Sequence, residues 1–231
     1  MRILDGFDWS TPFIADACAM LGLAVRTAPP GMRPLRRGAK AAGPARPARH
    51  AGSVDVFLEA IAGAEAGDVL VIDNGGRLDE GCIGDLVAGE AKVAGLAGLV
   101  VWGAHRDTAA IDALDIPVFS LGTCPVGPRE LRSRSPHALQ AASLSHVTVT
   151  RDDVVFADDD GVMVVEGASL ERVVEAARDI AYREQAQAAR LLGGERLSAQ
   201  LRLDEYVQKR REAPEYTFRD HIKSLGGAIE I

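Results

Sequence analysis

Arg106 and Asp107 stand just beyond a short apolar run, Leu99-Val100-Val101-Trp102, that ends at Gly103. Arginine offers a planar fork that grips a carboxylate or phosphate, and aspartate offers hard oxygens suited to magnesium or manganese. A second acid, Asp85, and the backbone N–H groups of Asp85, Leu86 and Val87 fall where a helix should begin. Unpaired donors and the helix dipole favour an anion at such a place. The pattern describes an anion cradle beside a divalent-metal site. It also permits a plainer reading, because an Arg-Asp pair after a strand serves as a surface pair or a turn, and Asp85 is favourable charge at a helix start.

Elements that could position these residues are legible around them. Val69, Leu70, Val71 and Ile72 form an apolar run that stops at Asp73-Asn74-Gly75-Gly76, as a buried strand ending in a turn does. Leu86, Val87, Ala91 and Ala94 recur at helical spacing before Gly95, and the run from Leu99 then reads as a second strand. Strand, loop, helix and strand in that order close as a right-handed crossover with parallel strands. Ligands in such sheets bind beyond the carboxyl ends of the strands. The 73–85 loop, the helix start and the Arg106-Asp107 pair share that edge.

The flanking chain is expected to support this unit. Ser10-Thr11-Pro12 opens a helix, capped by Thr11 or Ser10, with Phe13, Ile14, Ala17 and Leu21 on one face and Asp16 opposite in a structural role. Residues 24–50 read as irregular or strand, and Val54, Phe57, Leu58 and Ile61 as a helix. Ile116 to Ser120 reads as a strand that Pro117 places at its start or at a sheet edge. Residues 122–137 read as a loop whose Arg129, Arg132 and Arg134 are exposed charges. Val154-Val155-Phe156 and Val162 to Val165 form a hairpin around Asp158-Asp159-Asp160-Gly161, where the aspartates serve the turn and not a metal. Ser169 caps a long helix running to Gly193-Gly194, with an apolar stripe of Val173, Ala177, Ile180, Ala188 and Leu191. Glu184 falls on that stripe, where a carboxylate is costly unless paired or bound, or unless its stem lies along the stripe with its head in solvent. Residues 198–211 continue as helix until Pro214, and Thr217 to Asp220 form a capping box for a last helix ended by Gly226-Gly227.

Composition narrows the function classes. With 231 residues the chain fits one domain with an appended arm, here 1–195 and 196–231, and 5% aromatic content implies a core of small aliphatics. Cys18, Cys82 and Cys124 are odd in number with no Cys-x-x-Cys spacing, and the first residues carry no signal-peptide pattern. A cytoplasmic, reduced protein with no membrane span is expected. A net charge of −7 makes nucleic acid an unlikely partner. Arg33, Arg36, Arg37, Lys40, Arg46 and Arg49 run against this balance, but prolines and glycines interrupt them and no aromatics interleave. They read as a solvated face, open to pairing with acids of another subunit. G-x-G-x-x-G and P-loop patterns are absent from the sequence.

Several motifs occur in one order: Gly84-Asp85-Leu86, Ala91-Lys92, Gly95-Leu96-Ala97-Gly98, Gly103-Ala104-His105-Arg106-Asp107, Pro117-Val118-Phe119, Gly122-Thr123-Cys124-Pro125 and Ala157 to Val162. Together, over most of residues 10–190, they resemble the family of the ribonuclease regulator RraA and the class II pyruvate aldolases of 4-hydroxy-4-methyl-2-oxoglutarate and 4-carboxy-4-hydroxy-2-oxoadipate. The resemblance implies an α/β fold: an RraA-like α/β/α domain with a parallel-strand core, a late hairpin and a C-terminal helical arm. It implies that Arg106 binds the pyruvate carboxylate and steadies the enolate, with Gly84, Asp85, Leu86 and Val87 around the 2-oxo acid. Asp107 would hold a divalent metal, Mg2+ or Mn2+, and Asp85 would act on it through water. Glu184 from a neighbouring subunit would complete the shell, also through water, with Glu195 as a weaker substitute, in a homotrimer or hexamer. Trp102 departs from the family's usual Asp before this loop, which bears on the pocket floor. His105 is expected to brace the loop, and Lys92 has no surroundings that would lower its pKa for Schiff-base chemistry.

The expected activity is a metal-dependent carbon–carbon lyase on a small 2-oxo acid, releasing pyruvate by retro-aldol cleavage or by decarboxylation of oxaloacetate. One rival is a non-catalytic ring-shaped regulator of an RNA-processing enzyme, which would not need Asp107. A related lyase or hydratase acting on a specialised metabolite is the other.

Overall fold

A computed structural model of the chain describes residues 2–129 and 131–226. In chain order the elements are α1 (Thr11–Met20), β1 (Arg26–Thr27), β2 (Arg33–Pro34), β3 (Ala41–Arg49), α2 (Asp55–Ala62), β4 (Val69–Asp73), β5 (Gly81–Ile83), α3 (Asp85–Val93), β6 (Gly98–His105), α4 (Thr108–Ala113), β7 (Val118–Thr123), β8 (Ala141–Leu144), β9 (Val147–Thr150), β10 (Asp153–Asp158) and β11 (Gly161–Glu166). The helices α5 (Leu170–Leu192), α6 (Leu197–Gln200), α7 (Leu203–Glu212) and α8 (Phe218–Ser224) follow. The chain forms two compact units, Met1–Pro12 with Val25–Glu171, and Phe13–Ala24 with Arg172–Ile231.

The first unit is a mixed α/β fold around a curled sheet ordered β1-β11-β10-β3-β4-β6-β7-β2, with β5 also on β6. Its centre, β3-β4-β6-β7, is parallel, as the sequence pattern predicts. Alternation along each strand assigns the two faces. Leu70, Ile72, Leu99, Val101 and Val118 pack with Val56, Phe57 and Ile61 of α2, Val87, Ala88 and Ala91 of α3, and Ile111 of α4. Val69, Val71, Val100 and Phe119 point the other way, onto Ala142, Leu144, Val147 and Val149 of the β8–β9 ribbon. Each fully buried Val, Leu, Ile or Phe in these clusters contributes roughly 1.5–3 kcal/mol.

Residues 24–50, which read as irregular or strand, hold a nine-residue strand, β3, at the centre of the sheet. It pairs with β10 over residues 41–44 and with β4 over residues 45–49. Each half thus has one ladder, so Pro44 and Pro47 can turn their missing N–H toward the side without one. Several of the basic residues here pair with acids of their own chain. Arg46 meets Asp68 at 2.5 Å with both side chains largely buried, Lys40 meets Asp8 at 2.7 Å, and Arg36 pairs with Asp115. At the start of α1, which reads as capped by Thr11 or Ser10, the Thr11 N–H and Oγ1 both donate to Asp158, at 2.7 and 2.6 Å, so the Thr11 hydroxyl serves that carboxylate. That bond, with Asp159 accepting from Gly38 N–H, gives the aspartate turn the structural role expected of it.

In the second unit α5 buries Val173, Val174, Ala176, Ala177, Ile180 and Ala181, but Leu191 and Leu192 are exposed. The predicted apolar stripe is therefore buried over the first half of the helix alone. Beyond it the helix predicted from residue 198 is broken between α6 and α7, where Arg202 adopts a left-handed backbone conformation (φ 47°). The Thr217 capping box on α8 forms as predicted, while Gly227, half of the expected stop, lies outside the described residues. All three cysteines are free and buried, and burial followed by the charge of Glu80 pushes the Cys82 thiol up to about 12. No helix among the described residues is long and apolar enough to cross a membrane.

Candidate active site at the end of β6

The strand β6 outlasts its neighbour. Its first five residues pair with β4, from Gly98 on Val69 to Trp102 on Asp73, and β5 then takes over the place beside Ala104 and His105. Three residues, Gly81-Cys82-Ile83, are too few to show a strand periodicity, so this element is unreadable in the sequence. It carries β6 past the end of β4 and lifts Arg106 and Asp107 above the sheet edge. The Arg106 N–H donates to Ile83 O (2.9 Å), and Cys124 N–H donates to His105 O (2.8 Å). The backbone bearing the two charges is thus held from both sides.

Three glycines make room for the side chains. A Cβ on Gly84 would overlap Asp107 Oδ2, one on Gly81 would come within 2.9 Å of Arg106 Cβ, and one on Gly127 would come within 2.5 Å of Arg106 Nη1. Arg106 Nε lies 3.3 Å from Asp107 Oδ2, and both side chains remain partly open to solvent. Asp107 adopts a left-handed backbone conformation (φ 57°, ψ 37°) as the residue before α4, and its carbonyl accepts from Ile111 N–H. Non-glycine residues adopt that conformation uncommonly, and it aims this carboxylate back over Gly84.

At the start of α3, Ala88 N–H makes the first intrahelical bond, to Gly84 O, leaving the N–H groups of Asp85, Leu86 and Val87 without helical acceptors. Asp85 Oδ1 accepts from Leu86 N–H at 2.9 Å, so that donor is engaged. Leu86 is 83% exposed and does not share the packed face of Val87, Ala88 and Ala91, contrary to the helical spacing read from the sequence. One position along a helix turns the side chain by about 100°, which carries Leu86 off the buried stripe.

His105 braces the loop. Its Nδ1 lies 2.8 Å from Ser120 Oγ and its Nε2 3.2 Å from Thr108 Oγ1, and burial lowers its pKa. Lys92 Nζ donates to the Asp115 carbonyl, which ties it to structure. Trp102 stands against Gly76, where a Cβ would meet the indole at 3.0 Å. In the second unit Glu184 is half-buried, and burial together with the nearby Asp16 raises its carboxyl pKa. Asp16 was assigned a structural role; nothing in the sequence links it to Glu184, 168 positions away by number. Glu195 is bound by Arg190 at 2.6 and 2.7 Å. The structure therefore brings together Arg106, Asp107 and Gly84, and separately Asp85 with Leu86. Among the described residues no three His, Cys, Asp or Glu side chains converge as a metal site would require. Two carboxylates on this edge can contribute oxygens to a divalent ion, and the remaining ligands would have to be water, substrate or another chain.

Residues 11–164 match the model of the RraA-like family, described as Aldolase/RraA. A relative from Halalkalibacterium halodurans, named "Putative 4-hydroxy-4-methyl-2-oxoglutarate aldolase", is 34% identical over 148 residues, covering 64% of this chain and 70% of that protein. RraAS2 of Streptomyces coelicolor, described as an unusual member of the RNase ES inhibitor RraA protein family, is 27% identical with a TM-score of 0.70, covering 82% of this chain and 96% of that one. A protein from Pseudomonas syringae pv. tomato shares the fold at a TM-score of 0.74 and 23% identity, over 85% of this chain and 95% of its own.

Proposed function

The chain belongs to the RraA-like family, and from that premise we propose that it is a divalent-metal-dependent carbon–carbon lyase on 2-oxo acids. The products are pyruvate and either an aldol partner or carbon dioxide. One observation carries this reading: three glycines, two in the stretch 81–84 and one in the loop after β7, give up their Cβ space to Arg106 and Asp107 at a strand end. A surface ion pair needs no such clearance.

Arg106 binds the carboxylate of the 2-oxo acid through its guanidinium fork, and the same cation steadies the negative charge left when the adjacent bond breaks. Asp107, with Asp85 acting through water, would hold Mg2+ or Mn2+. When bound, the metal polarises the 2-oxo group, an effect worth several kcal/mol. The Val87 N–H faces the 2-oxo acid from the helix start, and the Leu86 N–H joins it when Asp85 releases its bond. The Asp85 carboxylate holds a water and moves a proton. Glu184 is proposed to complete the metal shell through water from a neighbouring subunit, in a trimer or hexamer.

Asp107→Asn tests the assignment. Turnover is expected to fall about 1,000-fold while circular dichroism and melting are unchanged, since the amide keeps the shape but loses the charged ligand. Retained turnover would remove Asp107 from metal binding, whereas a parent chain without turnover would favour a regulator of an RNA-processing enzyme, the reading suggested by the name of the Streptomyces protein. Glu184→Ala is expected to lower activity about tenfold without dissociating the oligomer. Full activity would leave Glu184 a surface side chain.

A further inference from the structure

A second concave region lies on the same sheet edge, at the ends of β3 and β4, and Arg106 is not part of it. This cavity of about 290 Å³ is lined by Arg49, His50, Asp73, Asn74, Arg132 and Ser135, among others. Its walls are tied together: His50 N–H donates to Asp73 O, Arg49 N–H to Ala138 O, and Arg132 N–H to Ala51 O. Asn74 is 1% exposed, yet neither its Nδ2 nor its Oδ1 has a hydrogen-bond partner among the described residues. Both amide atoms are shielded from solvent just beneath the cavity lining, and burying an amide without partners is costly, so a ligand toward which it turned would relieve that cost.

The charges define what can enter. Arg132 has no carboxylate partner among the described residues, and Arg49 reaches Asp73 Oδ2 at 3.3 Å while its side chain stays 65% exposed. Asp73 is the acid in the lining, and its oxygens are already committed to Gly75 N–H (2.9 Å) and Ser143 N–H (3.0 Å). His50 Nε2 makes no hydrogen bond; the nearest acid is Asp55, at 3.7 Å. Two guanidinium forks, an amide donor and serine hydroxyls recognise planar or tetrahedral oxyanions. The volume is at the small end for ligand pockets and suits a compact anion.

We propose that the cavity of Arg49, Asn74 and Arg132 is a second binding site, separate from Arg106, for a compact multiply charged oxyanion: a small dicarboxylate or a phosphate group. Arg132 donates to the anion, Arg49 swings from Asp73 to meet it, and the Asn74 amide turns from beneath the lining to join them.

Calorimetric titration of the full chain tests this, carried out with the Arg106→Ala variant so that the first site is out of play. Malonate and inorganic phosphate are the probes. Saturable binding of one anion per chain is expected, with phosphate alone indicating a phosphate group and malonate alone a carboxylate. Arg132→Gln should weaken it about tenfold or more, as loss of a charge-assisted bond does. Asn74→Ala should also weaken it while leaving the melting temperature without anion unchanged or higher, because the variant no longer buries an unpaired amide. Absence of binding by both probes, or binding that Arg132→Gln and Asn74→Ala leave intact, would overturn the proposal. A lower melting temperature for Asn74→Ala with unchanged anion binding would assign Asn74 to the fold instead.

Discussion

Strands β4 and β6 are parallel neighbours, and their ends solve opposite problems. At the end of β6 the charged side chains stay open to solvent, and the surrounding glycines are what make space for them. At the end of β4 the Asp73 carboxylate is 4% exposed and is satisfied by two backbone N–H groups and Arg49. The difference comes from β5, which extends the sheet beside β6 and leaves β4 to end under the turn that follows it. A strand end that is extended can present chemistry, whereas one that is covered must satisfy its own polar groups. Asp107 is thus available for function and Asp73 is committed to structure.

That contrast can be broken first at Gly84. Gly84→Ala places a methyl group where Asp107 Oδ2 lies, so the carboxylate must move by an ångström or more. A displacement of that size costs about 100-fold in turnover. Steady-state kinetics on the variant should show this fall with little change in melting temperature; undiminished turnover would mean that the clearance is incidental. Asp73→Ala should do the reverse. It strands Gly75 N–H, Ser143 N–H and Arg49, and should cost about 2 kcal/mol of stability in urea unfolding while sparing turnover per folded molecule. A comparable loss of turnover in the folded fraction would erase the distinction between the two strand ends.

The smallest effect concerns His105, which joins β6 to β7. Burial lowers its pKa, so between that lowered value and the ordinary 6.5 the unfolded chain binds the proton that the folded chain rejects. Stability from this group is therefore complete above pH 6.5 and is lost as pH falls below it. Melting curves from pH 7.5 to 5 should decline less steeply in His105→Gln than in the parent chain, by about 1 kcal/mol at most. Identical slopes would show that His105 does not sense the difference.

The two strand ends also show what a sequence reveals. β4 and β6 are legible because they are uninterrupted apolar segments punctuated by glycine, α3 because apolar residues recur at helical spacing, and Arg106 and Asp107 because charge follows such a segment. β3 is only half legible, as irregular or strand, because its core side chains are alanines and its prolines and arginines also fit a loop, although Ala41, Ala45 and Ala48 are buried. The glycine clearance is hidden too, since Gly81, Gly84 and Gly127 converge only through the pairing of β5 with β6 and the return of the loop after β7. Asn74 reads as an ordinary turn residue between Asp73 and Gly75, and burial alone gives it meaning.

Pyruvate release bears most directly on the central claim. The full chain would be given oxaloacetate and 4-hydroxy-4-methyl-2-oxoglutarate with Mg2+ or Mn2+, and then with EDTA. Pyruvate should appear from at least one of them above the metal-only background, and EDTA should stop it. A well-folded chain that releases none from either, or that continues unchanged in EDTA, would contradict the assignment of Arg106 and Asp107 to a metal-dependent lyase.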